Sequence, residues 1–366
     1  MVLRRAARGA LSADVVSVTG RAKSVLAIVV VLSALAARVA VLTTASASAD
    51  LANYSFVAAR LRGHEPLYES GRGRYNYSPV WSWILGGLDS LSHSCGVSLT
   101  WLIRALLTAV DVAVALVLAR LARRTARAPE VAAALYLANP ISIWVSGFQG
   151  AFDNLALLTL LFAISSQDVR RAGPWLWASM AVKQVTVLHP ILWTRRKRDF
   201  GYVVLAYAAF AALFLPYARQ WRAIVDDVLL YRSVPRSYGF SEWILWNDRL
   251  ALLLSLVAVG AAGLSAWLLR FHDRVRSSLF VFLVLLFFAP GLGSQYLLWP
   301  LPFAALLPSF RALLFSAAGL AWILGSHFGL PGSGRWLGHL VWLSVAFWAV
   351  GELRILRAER SLKWTM

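Results

Sequence analysis

Along the whole chain, apolar runs of roughly 20 residues, the length that a helix needs to cross hydrocarbon, alternate with short polar or basic connections. The period-2 alternation typical of barrel strands is absent, so the pattern favours helices as the elements that satisfy the backbone. We therefore predict an all-α polytopic membrane protein with a single integral membrane domain over residues 1–366. The apolar runs predict about 12 membrane segments, with amphipathic helices on the outer surface.

The first apolar run, residues 24–42, follows a basic N-terminal segment. It is longer than a signal-peptide core and contains Arg38, so we predict an uncleaved anchor. Basic residues mark the inner side of a membrane, which places the polar stretch beginning at Asp50 outside. We expect a multi-pass protein of a cell membrane with both termini cytoplasmic, in a bacterial plasma membrane rather than the endoplasmic reticulum.

The polar stretch after the first run predicts a helix on the outer surface. Residues 50–62 carry apolar side chains at helical spacing, which is typical of an amphipathic helix lying on a membrane, namely Leu51, Tyr54, Ala58 and Leu61. The next apolar run, 78–91, is too short to span and is interpreted as a second surface helix. This makes 100–121 the second span and places the arginines that follow it inside.

A later segment, 174–193, is bounded by arginines at both ends. One span cannot have both ends inside, so we predict two short helices that meet at an outward tip near Lys183–Gln184. Such broken helices are tolerated where they line a cavity or are buried in protein. The other membrane segments are predicted at 130–147, 152–166, 202–217, 249–269, 278–290, 301–309, 312–328 and 336–356.

Composition supports a membrane protein and excludes several other classes. Hydrophobic residues make up 59% of the chain and charged residues 14%, against about 25% charged in soluble domains. The net charge of +19 comes from arginines grouped between apolar runs, without the basic stripe and interleaved aromatics of a nucleic-acid site. A single cysteine, Cys95, excludes an intrachain disulfide framework and a cysteine metal site. Chemistry is therefore expected in loops and at helix ends.

The predicted outer loops collect aromatic, amide and single carboxylate side chains. Aromatic faces stack on pyranose rings, and amides and carboxylates bind sugar hydroxyls, so this composition indicates a sugar site. The candidate residues are Asp50, Asn53, Tyr77, Gln149, Asp153, Lys183, Gln184, Arg236, Gln295, Tyr296 and Trp299.

Several short motifs occur in a recognisable order on this outer side. They are an acid soon after the first span, G-x-x-P-L-Y at 63–68, Y-x-Y-S-P at 75–79, a second-span acid at Asp111, NPISIWVSGFQGAFDN at 139–154, Lys183–Gln184 and SQYLLWPLP at 294–302. In this order the chain resembles the membrane glycosyltransferases of the GT-C superfamily over most of residues 1–300. It is most similar to the mannosyltransferase of glycolipid-anchor assembly, and more distantly to the glucosyltransferases of N-glycan assembly.

The resemblance implies the GT-C fold, with a glycosyltransferase module at 24–217 and further loops and spans at 218–366 that complete the donor site. It implies transfer of a hexose, with mannose favoured, from a polyprenyl-phosphate donor to a glycan, glycolipid or protein acceptor outside. Glucose and the pentose arabinose stay open as alternative sugars. Asp50 would be the base of an inverting displacement. The other candidates would bind substrate, with Lys183 and Arg236 offsetting phosphate charge, Gln295, Tyr296 and Trp299 lining the donor site, and Asp153 addressing hydroxyls.

No cofactor is predicted. The D-x-D motif of the mannosyltransferase is missing after the first span, where Asp50 is followed by Asn53, so a metal requirement stays open.

Each of these residues also has a structural interpretation. Asp50 could be a helix N-cap, and Asp153–Asn154 could cap the next helix. Asp111 is expected to pair with Arg38, Arg104 or Lys183, because an unpaired charge inside a membrane costs about 2.5–3.5 kcal/mol or more. The residues at 295–299 could form an interfacial aromatic belt. Glu65 and Glu69 are interpreted as solvated loop acids.

Two other classes of function stay open at this point. A secondary transporter, or a flippase of lipid-linked sugars without glycosyl transfer, would also contain broken helices and intramembrane charges, although no repeat symmetry is found. A non-catalytic scaffold or subunit would not need Asp50. Whether a partner subunit is needed is also open, and no nucleic-acid partner is expected.

Overall fold

The structure is a computed structural model, and it describes residues 25–46, 48–69, 75–124, 128–166, 168–230, 238–242, 247–329 and 333–364. These residues form an all-helical protein, and they contain no strand. The prediction of an all-α protein is therefore confirmed for this part of the chain. The N-terminal segment before residue 25 and Arg236 lie outside the described residues.

The helices are numbered in chain order. They are α1 Val25–Thr44, α2 Ala49–Arg62, α3 Pro79–Cys95, α4 Leu99–Arg123, α5 Pro129–Leu137, α6 Pro140–Gln149, α7 Asp153–Ser165, α8 Val169–Val182, α9 Lys197–Ala212, α10 Leu215–Leu229, α11 Asp248–Leu269, α12 Arg274–Phe288, α13 Leu301–Leu306, α14 Phe310–His327 and α15 Ser333–Trp364. Short 3-10 turns lie at Gln184–Thr186, His189–Trp193, Gly239–Glu242 and Ser294–Leu298.

Within the described residues, four helical segments are long and apolar enough to cross a membrane. They are Val25–Thr44, Leu99–Arg123, Arg249–Leu269 and Arg335–Glu359, and the number rises to six if each of two bent helix pairs crosses as one span. A membrane protein with four to six candidate spans is therefore supported. Other predicted segments correspond to shorter helices, such as the 13 residues of α7.

The two predicted surface helices are present. Ser48 caps α2 by accepting a hydrogen bond from the Leu51 N–H, and Ser78 caps α3 by accepting one from the Val80 N–H. Neither helix is among the candidate spans. On the side of α2 that was predicted to lie on the membrane surface, Leu51, Tyr54 and Ala58 are instead buried inside the protein, and Leu61 is partly buried.

The segment predicted as one span at 130–147 is broken, which corrects that expectation. The axes of α5 and α6 differ by 53°, and Pro140 begins α6 because proline cannot donate the backbone hydrogen bond that would continue a helix through it. The side chain of Asn139 accepts from the Ile141 N–H instead. α6 then widens into a π-helical turn at Ile143–Gln149 and ends at Gly150, whose φ of 76° is left-handed.

The predicted break at Lys183–Gln184 is confirmed. α8 ends at Lys183, whose backbone is extended with φ −151° and ψ 124°. The chain continues as 3-10 turns at Gln184–Thr186 and His189–Trp193 rather than as a second α-helix, and Pro190 lies in the second turn.

The core has two parts. The larger apolar cluster lies where α4, α5, α7 and α12–α15 pack together. The smaller cluster lies beneath α2 and α3 and is rich in aromatic rings, including Tyr54, Tyr75, Trp81 and Phe152. The first residues of α2, the end of α6 and the start of α7 meet beside this aromatic cluster, which positions the candidate site.

Candidate functional site

Asp50 lies in the first turn of α2, and two serines and a glutamine hold this turn in place. The Ser48 hydroxyl donates to the Gln149 carbonyl oxygen at 2.5 Å. The Gln149 side chain then donates from Nε2 to Asp50 Oδ2 at 2.8 Å and accepts from the Ser294 hydroxyl at 2.7 Å. Three distant parts of the chain therefore meet at one carboxylate. Because Ser48 is the N-cap, the interpretation of Asp50 as a helix cap is wrong.

The environment of Asp50 changes its acidity. Burial raises the pKa of this carboxyl above its ordinary value, and the Asp153 charge raises it further. The hydrogen bond from Gln149 and the charge of Lys183 partly oppose this rise. Asp50 is nevertheless only half-buried, so it combines a raised pKa with access from outside the protein.

Asp153 and Lys183 form a buried ion pair beside this carboxylate. Lys183 Nζ lies 2.5 Å from Asp153 Oδ2, and the indole N–H of Trp299 donates to Asp153 Oδ1 at 2.6 Å. The side chain of Asp153 therefore contacts Lys183 and Trp299, which are distant in the chain, rather than the backbone of α7. The N-cap of α7 is Phe152, which makes no side-chain hydrogen bond. The expectation that Asp153 or Asn154 caps this helix is wrong.

Aromatic rings surround the lysine. Its Nζ lies 5.3 Å from the ring centre of Tyr77 and 5.1 Å from that of Phe152. The Phe152 ring stacks on Trp81, with centres 4.0 Å apart. A cation over aromatic faces is held electrostatically by the ring quadrupoles, and the ammonium group of Lys183 therefore lies next to a surface of the kind that packs against sugar rings.

Gly150 allows α6 and α2 to approach each other. Its φ of 76° favours glycine, and a Cβ atom at this position would lie 2.6 Å from Leu51 Cδ2. The π-helical end of α6 can therefore bring Gln149 against the start of α2 only with glycine here.

The remaining predicted site residues lie around this centre with different contacts. Asn53 is half-buried, one helical turn after Asp50. Gln184 donates to the Asn76 carbonyl oxygen at 2.7 Å, next to Tyr77. Gln295 is half-buried and its side chain lies over Gly293, while the Tyr296 ring packs on Trp299 with centres 4.4 Å apart.

Asp111 belongs to a separate buried cluster. Arg38 Nη1 lies 2.6 Å from Asp111 Oδ2, and three further donors reach the other oxygen. These are the Tyr136 hydroxyl at 2.7 Å, Asn154 Nδ2 at 3.0 Å and the Ser146 hydroxyl at 3.3 Å. The expectation that Asp111 pairs with a basic residue is confirmed, and Arg38 is the partner.

Arg104, the second candidate partner of Asp111, has another role. It donates to the carbonyl oxygens of Ala45 and Ser46 at 2.8 and 2.6 Å, and to that of Phe148 at 2.8 Å. It thus ties the end of α1 to the π-helical turn of α6. Sequence patterns do not reveal this role, because a backbone carbonyl leaves no residue signature.

Sequence reasoning also missed Ser48 and Ser294. Serine is a favoured N-cap and an acid is favourable in the first turn of a helix. The sequence around Ser48 and Asp50 therefore carries a local signal for a helix start at Ser48. Ser294 lies inside the quoted motif at 294–302, but its bond to Gln149 crosses 145 positions. Glu65 pairs with Arg60 and Glu69 is exposed, in keeping with their interpretation as solvated acids.

The cluster offers a half-open carboxylate with a raised pKa, a buried cation, amide groups and aromatic faces. It can accept a proton from a hydroxyl and can place positive charge near an anionic group. Among the described residues, no group of three or more His, Cys, Asp or Glu side chains could hold a metal ion. No protein-family model matches this chain, and no curated protein matches it.

Proposed function

We propose that the protein is an inverting membrane glycosyltransferase of the GT-C type. It would move a hexose, with mannose favoured, from a polyprenyl-phosphate donor to an acceptor at the outer face of a cell membrane. The observation that carries the proposal is the Asp50 carboxylate. It is half-open, has a pKa raised by burial, is oriented by Gln149, and lies within electrostatic range of the Asp153–Lys183 pair.

The reaction needs one base. The oxygen of the acceptor hydroxyl forms a bond to the anomeric carbon while the bond from that carbon to the phosphate oxygen breaks. The hydroxyl proton passes to Asp50, and polyprenyl phosphate leaves with the bonding electrons. Phosphate is a good leaving group and needs no general acid, whereas a base with a pKa raised toward the working pH is more effective. A single displacement inverts the anomeric configuration.

Lys183 is the candidate phosphate contact. An ammonium group has three donors, and Asp153 accepts one of them. The other donors lie beside the rings of Tyr77 and Phe152. Since Asp153 already balances the charge of Lys183, we expect Lys183 to orient a phosphate by hydrogen bonding more than by net charge. Arg236, whose structure is outside the described residues, would supply further positive charge.

A lateral groove supports a lipid-linked substrate. It encloses about 1010 Å³ between α1, α5, α13 and α14, and nearly all of its lining is apolar. Asn139 and Ser316, which hydrogen bond to each other at 3.0 Å, are its main polar lining residues. A polyprenyl chain has the chemistry that such a surface accepts.

The position of the groove also favours a second candidate function. It includes Leu26 and Val30 of α1, which lie at the end of that helix distant from Asp50. A groove that begins toward the other side of the membrane would suit a flippase that moves lipid-linked sugars without transferring them. Movement of a labelled lipid-linked sugar between the leaflets of sealed vesicles, without sugar transfer, would identify this activity.

The test of the transferase uses purified protein in lipid vesicles with labelled polyprenyl-phosphate-mannose and a membrane extract as the source of acceptor. Asp50→Asn should lower the rate of label transfer by about 10²–10⁴-fold, the range typical of a lost general base. The matched control is Asp226→Asn, which removes an exposed acid on α10 and should transfer like the parent.

The outcomes separate the alternatives. Equal transfer by Asp50→Asn and the parent protein would refute the role of Asp50, and transfer by neither protein from mannose, glucose or arabinose donors would refute the proposed activity. Both variants are compared at matched amounts of folded protein, measured by thermal unfolding, so that loss of fold is not taken for loss of the base.

A further inference from the structure

A second pocket lies at the far end of α4 and α7 from Asp50. It has a volume of about 600 Å³ and is formed where these two helices end, α12 begins, and α13 and α15 pass close by. α7 runs 13 residues from Asp153, so the pocket is about 18 Å along that helix from the candidate sugar site. The charge pattern predicts that this end faces the cytoplasm.

The rim of this pocket is strongly basic, and backbone carbonyls hold its arginines in place. Arg124 donates to the Ser165 carbonyl oxygen at 2.8 Å. Arg195 donates to those of Arg270 and His272, both at 2.7 Å. Carbonyl oxygens orient a guanidinium group without cancelling its charge, and neither Arg124 nor Arg195 forms an ion pair within the described part of the chain.

The acids of the pocket are already engaged. Glu359 lies 3.4 Å from the guanidinium of Arg276, which also pairs with Glu352 at 2.5 Å. Asp273 caps α12 by accepting from the Arg276 N–H. The lining therefore carries four arginines against two acids, Asp273 and Glu359. The lining residues therefore carry a net positive charge, although Arg276 is already paired with Glu359 and with Glu352.

Repulsion between Arg195 and Arg274 also favours binding of an anion at this pocket. Burial and, second, the charge of Arg195 lower the pKa of Arg274 to about 10, and the charges of Asp199 and Asp273 partly oppose this fall. Arg274 also donates to the Ser166 carbonyl oxygen at 2.9 Å and lies 4.9 Å from the Trp193 ring centre. An anion placed between Arg195 and Arg274 would add to the negative charge that Asp199 and Asp273 already place near these two guanidinium groups.

The pocket also has an apolar side. Its lining includes Leu121, Ile164, Leu306 and Leu307, and the ring of Phe271 is 54% exposed at the rim. A basic rim above an apolar wall matches a phospholipid, whose phosphate lies directly above its acyl chains. Basic pockets between helices on the cytoplasmic side are known to hold anionic head groups.

We propose that this pocket binds the phosphate group of an anionic phospholipid through Arg124 and Arg195. The arginine fork suits phosphate oxygens because two N–H groups can donate to them in parallel. The site is separate from the Asp50 cluster, so the inference does not rest on the proposed transferase activity. A free phosphate ester shares the same recognising chemistry, and the apolar wall favours the lipid.

The test measures thermal unfolding of the purified full-length protein in a nonionic detergent. Short-chain phosphatidylglycerol is titrated, with short-chain phosphatidylcholine and inorganic phosphate in parallel at constant ionic strength. A ligand that binds the folded state raises the unfolding midpoint in a saturable way. We expect saturation with phosphatidylglycerol and a much weaker response to phosphatidylcholine, whose positive choline offsets its phosphate.

Variants locate the binding. Arg124→Gln and Arg195→Gln should each weaken phosphatidylglycerol binding about tenfold, as expected for a lost hydrogen bond to a charged group. The matched control is Arg123→Gln, which removes the exposed neighbouring arginine that does not line the pocket and should change binding less than about twofold. Glu359→Gln removes a negative charge from the lining and should tighten binding.

Saturation with inorganic phosphate, together with its competition against phosphatidylglycerol, would assign the site to a soluble phosphate ester. The proposal is overturned if neither ligand produces a saturable shift, or if Arg123→Gln weakens binding as much as Arg124→Gln does. Because Glu359→Gln predicts a gain, its failure to tighten binding would also count against the site even if the arginine variants fold poorly.

Discussion

Asp111 and Asp50 both lie near the start of α7, but their surroundings differ sharply. Asp111 is completely buried and receives four donors, among them the guanidinium of Arg38. Asp50 is half-buried and, among the described residues, receives a side-chain hydrogen bond from Gln149 alone. Adjacent residues of α7 serve the two regions, since Asn154 donates to Asp111 while Asp153 pairs with Lys183.

This difference favours a structural role for Asp111 and is the basis for the base role proposed for Asp50. A fully buried carboxylate whose two oxygens both accept hydrogen bonds from the protein stabilises the packing around it and is closed to substrate. A carboxylate with one hydrogen-bond partner and a raised pKa is less stable in its ionised form than a free carboxylate in water. Its remaining oxygen lone pairs can accept a hydrogen bond from an incoming hydroxyl. Perturbed acids of this kind are concentrated at functional sites.

The largest expected effect is on the Asp111 side. Asp111→Ala leaves Arg38 buried without its counter-charge and should lower the free energy of unfolding by about 3–5 kcal/mol. The measurement is thermal or denaturant unfolding of the purified protein in detergent. The exposed-acid control, Asp226→Asn, should change stability by about 0.5 kcal/mol or less.

Replacing both Arg38 and Asp111 tests whether the loss of stability comes from the uncompensated charge of Arg38. Arg38→Met combined with Asp111→Leu removes the uncompensated charge and should recover part of the lost stability. If Asp111→Ala alone proves as stable as the parent protein, the buried Asp111 does not stabilise the fold through its pair with Arg38.

Removing the charge of Asp50 should have the opposite effect and raise the stability of the protein near neutral pH. Its pKa is raised above the ordinary value of 3.8, so folding favours the protonated form. That contribution is fully present below the unfolded pKa and is lost as pH rises through the folded pKa. Near neutral pH the ionised carboxylate therefore opposes folding.

Asp50→Asn keeps the shape, can no longer ionise, and should raise the unfolding midpoint near neutral pH. The gain should shrink as the pH of the unfolding experiment falls through the raised pKa of folded Asp50. It should vanish below 3.8, where Asp50 of the parent protein is neutral in both the folded and the unfolded state. A lower midpoint for Asp50→Asn at neutral pH would show that the charge of Asp50 stabilises the fold.

The smallest expected effect concerns the Gln149 bond. Gln149→Met removes the donor that lowers the pKa of Asp50 and should cost about 1 kcal/mol of stability. If Asp50 is the base of the proposed transfer, the transfer rate is expected to rise with pH as Asp50 ionises, and in Gln149→Met this rise should occur at a higher pH than in the parent protein. Ser294→Ala keeps the Gln149–Asp50 bond and should move the pH profile less. Equal profiles for Gln149→Met and the parent would mean that this bond does not tune the base.

Much of the local structure could be predicted from the sequence. Arginines at both ends of 174–193 predicted the interrupted segment, and the break occurs at Lys183. The helical spacing from Leu51 to Ala58 predicted α2. The acidic residue Asp111, inside the apolar run 100–121, predicted a basic partner, because an unpaired charge in hydrocarbon is costly. These conclusions rest on local periodicity and on the cost of isolated charges.

Other features were decided by packing. Local pattern left three candidates for the partner of Asp111, and only the placement of α1 beside α4 selects Arg38. The bond between Gln149 and Asp50 crosses 99 positions in the chain, and it depends on the π-helical turn that ends at Gly150. No local signal reports such a contact, because an amide side chain has the same sequence environment whether it faces solvent or a carboxylate.

By itself, the sequence determined that this is a helical membrane protein, where several helices begin or break, and which side chains have the chemistry for a sugar site. The tertiary structure decided that Asp50, Gln149 and Ser294 meet, that Asp153 binds Lys183 rather than capping α7, and that Asp111 is structural. The physical reason is that hydrophobicity and backbone preference act over a few neighbouring residues. The pKa and the partners of a carboxylate depend instead on everything that packs around it.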